Sequence, residues 1–303
     1  MTDDAVIVVQ NLRKTYGSRV AVDDVSFEVR RGEIFGLLGS NGAGKTTTVE
    51  CLEGLRRPEG GAARVLGVDA AARPEKLRGR VGCQLQDSRL PDRLRVWEAL
   101  QLFAATAPGR VEWEPLLAAW GLTEKRNDAF SGLSGGQRQR LLVALSLVGD
   151  PEVVFLDEMT TGLDPGARRT TWGLIEAVRD RGTTIVLVTH FMDEAERLCD
   201  RVAVMDRGRI VAQDSPAALI AAEAGAVRVT FTGDGDFGWL AELPIVDSVT
   251  RHGAWVEVLG EGPVLNHVAA ALLERGLAPF DLQTERPTLE ETFLKLTGHG
   301  LED

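Results

Sequence analysis

Apolar and polar positions follow two alternating regimes along the first two-thirds of the chain. Ala5–Val9 and Val25–Val29 read as strands separated by polar turn residues. Ile34–Leu38, Val153–Leu156 and Thr184–Thr189 are continuous apolar runs, the pattern of strands covered on both faces of a parallel sheet. A stretch of helical periodicity follows each of these three runs. From about Leu90 to Gly149 the apolar positions recur at helix spacing, as at Trp97, Leu100 and Phe103. Val202–Met205 and Ile210–Ala212, joined by Asp-Arg-Gly, read as a closing hairpin. The alternation predicts an α/β sheet with antiparallel strands at its N-terminal side and a helical insertion at about residues 88–150.

An alanine-rich stretch, Ser215–Gly225, breaks this rhythm, and the pattern then restarts. Strands are predicted at Val227–Phe231, Val246–Arg251, Ala254–Leu259 and near Phe280–Thr284. Helices are predicted around Phe237–Leu243 and over Val264–Arg275. This β-α-β-β-α-β order suggests a small ferredoxin-like α+β domain at residues 223–303, after a larger domain at 1–222. The second domain carries no glycine-phosphate motif or carboxylate cluster, so its expected role is regulatory or in assembly.

Composition narrows the field of functions. Hydrophobic residues make up 44% of the 303 and charged residues 26%, which suits a globular chain with a buried core. The balance of 34 basic against 45 acidic residues gives −11, the wrong sign for a general nucleic-acid binder or for direct docking on anionic lipid. Cys51, Cys83 and Cys199 form no CxxC pair and are expected as reduced, mostly buried thiols. No secretory signal is visible, and no apolar run approaches the roughly 20 residues that span a bilayer. Action at a membrane would therefore require another polypeptide to do the spanning.

Three motifs carry chemistry. Gly39-Ser40-Asn41-Gly42-Ala43-Gly44-Lys45-Thr46 is a G-x-x-x-x-G-K-[ST] phosphate loop, set between a predicted strand and a predicted helix. Its glycines let backbone N–H groups turn around phosphates, and the helix N-terminus adds a favourable dipole. Lys45 is expected on the β- and γ-phosphates and the Thr46 hydroxyl on Mg²⁺. A glycine-rich turn beside an exposed lysine is the bland alternative, which the strand-before, helix-after setting disfavours. The run Val153–Leu156 ends in Asp157 and Glu158, placing two carboxylates at a sheet edge where nucleotide crevices form. Asp157 fits an acid that holds Mg²⁺ through water, and Glu158 fits a group that activates attacking water. Alone, such a pair is more often a solvated strand end. Leu133-Ser134-Gly135-Gly136-Gln137 puts a glycine pair before a helix predicted over Gln137–Val148, a second anion-binding helix N-terminus. One nucleotide does not need two such cradles on one chain. Two copies arranged head to tail would use both.

Together these motifs, from roughly Val6 to Leu219, resemble the nucleotide-binding subunit of an ABC transporter. The resemblance implies a phosphate-loop NTPase sheet and ATP and Mg²⁺ as ligands. It implies further roles by position. Tyr16, the only tyrosine, matches the aromatic that stacks on adenine. Thr47 completes the phosphate loop, and Gln86 matches the glutamine that contacts Mg²⁺ and senses the membrane partner. Asp164, in Gly162-Leu163-Asp164-Pro165, matches the loop that crosses the dimer interface. His190 matches the histidine at the γ-phosphate, and Ser134, Gly135, Gly136 and Gln137 match the signature that closes on the partner's ATP. Met159, Leu85 and Ser40 stand where the family usually has proline, and Gln84 is a second glutamine beside the coupling position.

The tail Pro287–Gly298 and the run Thr189–Glu196 resemble the type-2 exporter ATPases, which move drugs, lipids or polymers. The expected partners are a separately encoded multi-span membrane permease and a second ATPase copy, with no nucleic acid. The expected place is the cytoplasmic face of the membrane. Alternatives are an importer ATPase, which shares every catalytic motif, and a soluble ABC ATPase. The latter usually carries two cassettes or long coiled coils, and this chain has a single phosphate loop and no sustained heptads. A signalling GTPase or small-molecule kinase would leave Leu133–Gln137 without a reason.

Overall fold

The computed structural model describes residues 4–84, 89–109, 111–223, 227–260, 262–279, 281–285 and 288–300. The chain divides into two compact units, Met1–Pro216 together with Thr297–Asp303, and Ala217–Leu296.

The first unit is built on two sheets. In one, β1 (Ala5–Tyr16) pairs antiparallel with β2 (Arg19–Arg30) and with β4 (Gly60–Val65), and the two-residue β5 (Val68–Asp69) closes the edge. Apolar side chains of β1 and β2 alternate inward, with Ile7, Val9, Leu12, Val25, Phe27 and Val29 buried. The second sheet runs β10-β9-β3-β8-β7-β6, with β3 (Ile34–Leu38), β6 (Val81–Gln84), β7 (Val153–Asp157), β8 (Thr184–Thr189) and β9 (Arg201–Asp206) parallel. β10 (Arg209–Asp214) is the antiparallel edge. Every residue of β3, β7 and β8 is buried, which is why they appear in the sequence as unbroken apolar runs. Their C-terminal ends point to one side of the sheet, where ligands of such sheets collect.

Helices flank these strands. α1 (Lys45–Leu52) follows β3, and α5 (Pro165–Asp180) and α6 (Met192–Leu198) follow β7 and β8. The insertion holds α2 (Val96–Thr106), α3 (Glu114–Ala119) and α4 (Gly135–Ser146). On α2 the buried face is Val96, Ala99, Leu100 and Ala104, while Leu102 and Phe103 are exposed. Phe103 therefore leaves the stripe that its spacing suggested. Cys51 and Cys199 are buried, as expected, but Cys83 is exposed on β6.

After Thr297 the chain joins the first unit. Nε2 of His299 meets Oδ1 of Asp206 at 3.0 Å and its Nδ1 meets the Gly300 carbonyl at 3.1 Å. Both neighbours are acceptors, so the ring satisfies both only when it donates from both nitrogens.

In the second unit, β11 (Val227–Thr232), β12 (Val246–His252), β13 (Trp255–Gly260) and β14 (Gln283–Glu285) form an antiparallel sheet of order β12-β13-β11-β14. α8 (Val264–Glu274) covers it through Val264, Val268 and Leu272. The stretch between β11 and β12 holds only a 3-10 turn, Gly238–Glu242, in place of the expected short helix. α7 (Pro216–Glu223) leads into this unit and α9 (Leu289–Thr297) leads out. Among the described residues no helix is long and apolar enough to cross a membrane.

Candidate functional site

β3 delivers the chain to the phosphate loop, and α1 starts directly after it. Gly44 caps α1 with φ +102°, and a Cβ there would lie 2.4 Å from the Ala21 carbonyl. Only glycine fits both demands. Behind the loop, the β9–β10 turn braces it, with the Gly208 N–H donating to the Ala43 carbonyl at 2.9 Å. Lys45 is 5% exposed and curls back, its Nζ donating to the carbonyls of Gly39 at 2.7 Å and Ser40 at 3.0 Å. Burial pulls its pKa down, against the pull of Glu158 and Asp157. A phosphate group would offer this ammonium a stronger partner than two neutral carbonyls.

Asp157 ends β7 beside α1. Its Oδ2 accepts from the Thr46 hydroxyl at 3.4 Å, while Oδ1 is buried with no hydrogen-bond partner. Burial, and then the charge of Glu158, pushes this carboxyl up to about 6. Such an orphaned oxygen costs free energy unless a cation completes it. Glu158 follows at φ +49°, a left-handed backbone that a residue with a side chain holds at a cost of about 1–3 kcal/mol. The turn aims its carboxylate at His190, just beyond β8, with Oε1 3.2 Å from Nδ1. Its backbone is pinned there, because the Glu158 N–H donates to the Val188 carbonyl at 2.9 Å.

Lys45 and Glu158 line a cleft of about 360 Å³ together with Tyr16, Asn41, Gly42, Thr46 and Thr47, and Asp157 and His190 adjoin it through Thr46 and Glu158. Tyr16 is 41% exposed, with Lys14 and Arg56 near its ring. The structure thus gathers the phosphate-loop residues, Tyr16, Asp157, Glu158 and His190 in one place. Gln86 and Leu85 lie outside the described residues. Gln84 is buried at the end of β6.

A second cleft of about 330 Å³ shares no lining residue with the first. Ser134, Gly135, Gly136, Gly162, Leu163 and Asp164 line it. Ser134 caps α4 through a reciprocal pair: its Oγ accepts from the Gln137 N–H at 3.3 Å, and Gln137 Oε1 accepts from the Ser134 N–H at 2.9 Å. The Gln137 side chain is therefore engaged with its own helix end. Asp164 caps α5, its Oδ1 accepting from the N–H groups of Gly166 and Ala167, both at 2.9 Å. Two capped helix N-termini thus converge on one cleft, a setting that attracts anions.

Sequence reasoning missed Arg19, in the first cleft, and Arg140, in the second. Arg19 donates to the Gly42 carbonyl at 3.4 Å from the first position of β2, which carries no motif. Arg140 sits one helical turn beyond Gly136, so helical spacing alone could have found it.

The family profile described as ABC transporter matches residues 22–161. "Nod factor export ATP-binding protein I" of Ralstonia nicotianae is 41% identical, over 98% of this chain and 95% of that protein. "Daunorubicin resistance ATP-binding protein DrrA3" of Streptomyces coeruleorubidus is 36% identical, over 97% of this chain and 96% of that protein. A solved structure described as the ATP-binding subunit of an ABC transporter aligns with TM-score 0.65 and 30% identity, over 72% of this chain and 92% of that one.

Proposed function

The chain belongs to the ATP-binding subunits of the ABC transporter family, and on that premise we propose that its two clefts are halves of ATP sites completed by a second copy. The observation that carries this reading is the separation of the clefts. The phosphate loop lines one, and the Ser134–Gly136 turn lines another with no shared residue. A head-to-tail pair would bring the signature of each copy onto the nucleotide of the other.

In the proposed complex the adenine stacks on Tyr16. Lys45 leaves the carbonyls of Gly39 and Ser40 for the phosphates, which the N–H groups of Asn41 through Thr47 surround. The orphaned Oδ1 of Asp157 and the hydroxyl of Thr46 form the oxygen donor set that suits Mg²⁺. That ion supplies charge neutralisation on the β- and γ-phosphates when it is bound. Gln86 remains proposed as a further contact. Glu158 orients the attacking water, and His190 holds the Glu158 carboxylate and faces the γ-phosphate. The donors of Ser134, Gly135 and Gly136 come from the other copy, with Asp164 bracing their loop. Positioning and charge stabilisation account for the rate, as in other phosphoryl transfers.

The partner is a separately encoded multi-span permease, reached through the insertion, where Leu102 and Phe103 stand exposed on α2. The two relatives named above concern export of a Nod factor and daunorubicin resistance, and they favour export as the direction here. The subunit would then sit on the cytoplasmic face, held there by the permease. The Ala217–Leu296 unit would regulate or assemble that complex.

The test is Glu158→Gln. With ATP and Mg²⁺ this variant should elute as a stable dimer with turnover reduced at least a hundredfold. A monomer under those conditions, or normal turnover, would overturn the assignment. Purification of tagged wild type from detergent-solubilised membranes should recover a multi-span protein in equal amount.

A further inference from the structure

The loop after Glu158 is held by a buried carboxylate that lines neither cleft. Glu194 lies on α6 and is 0% exposed. Its Oε1 accepts from the Thr160 hydroxyl at 2.8 Å and from the Trp172 indole Nε1 at 3.0 Å. Thr160 and Thr189 are also fully buried. Thr160 comes two residues after Glu158, on the loop that continues to Asp164. Thr189 comes directly before His190, and its Oγ1 accepts from the Phe191 N–H at 3.0 Å. Burial raises the Glu194 pKa, and the neighbouring Thr189, Thr160 and Trp172 side chains oppose it. The other charges near it are Arg168, which pairs with Asp193 at 3.2 Å and lies over the Phe191 ring, and Asp193 itself.

A buried carboxylate is an expensive way to fill space, because it must be desolvated. If shape alone mattered, leucine would do it at less cost. What a carboxylate adds is directional acceptance from several donors at once. Here the donors come from the loop after Glu158 and from α5, and the acceptor sits on α6, which starts two residues after His190.

Resting on the reading above that Glu158 and His190 act on the γ-phosphate, we propose that Glu194 is a positioning residue. Its carboxylate ties the Thr160 loop to α6, which begins just after His190, and to α5, so that Glu158 and His190 keep their 3.2 Å contact and the loop enters the second cleft at a fixed angle. Glu194 lines neither cleft, so it acts on turnover and leaves nucleotide affinity alone. Displacement of a reacting group by about 1 Å costs on the order of a hundredfold in rate.

The experiment compares Glu194→Ala with Glu194→Gln, whose amide oxygen can still accept from Thr160 and Trp172. Glu194→Ala should lower kcat about 10- to 100-fold with an unchanged KM for ATP, and Glu194→Gln should recover most of the loss. In the Glu158→Gln background, Glu194→Ala should have no further effect on residual turnover, since the group it positions is already disabled. Thr160→Val against Thr160→Ser repeats the comparison without emptying the site, should Glu194→Ala fold poorly. Equal turnover in all variants, a joint loss of binding and turnover, or an additive loss in the Glu158→Gln background would overturn the proposal. If wild type itself hydrolyses no ATP, the functional reading fails and not this one alone.

Discussion

In the nucleotide- and metal-free protein, Asp157 should make stability depend on pH in an unusual direction. Its carboxyl stands at about 6 against 3.8 for a free aspartate, first because it is buried and second because Glu158 is adjacent. Lys45 and Thr46 pull the other way, and Glu50 adds a weaker repulsion. The folded pKa is raised, so the folded state takes up a proton before the unfolded state does. Stability relative to neutral pH therefore grows as pH falls through 6, and the gain is complete only below 3.8. The full shift corresponds to about 3 kcal/mol, of which on the order of 1 kcal/mol falls between pH 8 and pH 5. Asp157→Asn removes this titration and leaves most other groups in place. Glu53, itself pushed up to about 7 chiefly by burial, responds to Asp157 only as a minor influence. The assay is urea unfolding of wild type and variant, both free of nucleotide and metal, at pH 8 and pH 5. The stability of Asp157→Asn minus that of wild type should be larger at the higher pH, by on the order of 1 kcal/mol. A difference that does not move with pH, or that moves the opposite way, would refute the burial argument. Adding ATP and Mg²⁺ at pH 8 should then raise the melting temperature of wild type but not of the variant.

Two further outcomes follow from the structure. Ser134→Arg should leave ATP binding to the monomer intact, because Ser134 does not line the first cleft, but abolish the dimer in the Glu158→Gln background; gel filtration with ATP reports it. The His299 pKa is raised by the Gly300 carbonyl and then by Asp206, so its contribution to stability is fully present below about pH 6.5 and lost as pH rises through the higher folded value. Melting curves of wild type and His299→Ala should therefore be separated at pH 6 and converge near pH 9.

How much of this was legible in the sequence depends on the burial of each segment. Ile34–Leu38, Val153–Leu156 and Thr184–Thr189 are covered on both faces, and nothing in them interrupts the apolar run. β1 and β2 are harder: their ladder slips at four places, and Asn11 and Asp24 adopt positive φ. Irregular pairing of this kind breaks the period-two pattern, so only Ala5–Val9 and Val25–Val29 stood out from strands of 12 residues each. β4 begins Gly-Gly-Ala-Ala-Arg, with almost no strand propensity, and is held by pairing with β1. In the site, backbone-dependent chemistry was readable because glycine spacing encodes it. The tie through Glu194 was not, since Thr160 and Trp172 lie 34 and 22 residues from it and are ordinary in type. The same holds for the strain at Glu158, because nothing in a glutamate announces a left-handed backbone.

The division of the chain has a polymer-physics consequence. Pro216 and Thr297 both belong to the first unit, so the eighty residues Ala217–Leu296 are a closed loop with respect to it. When those residues unfold while the first unit stays folded, their ends remain fixed, and the unfolded segment explores far fewer arrangements than a free tail would. Loop-closure scaling puts the lost entropy on the order of 4 kcal/mol. The second unit thus gains from its two attachments much of what a crosslink gives a small domain.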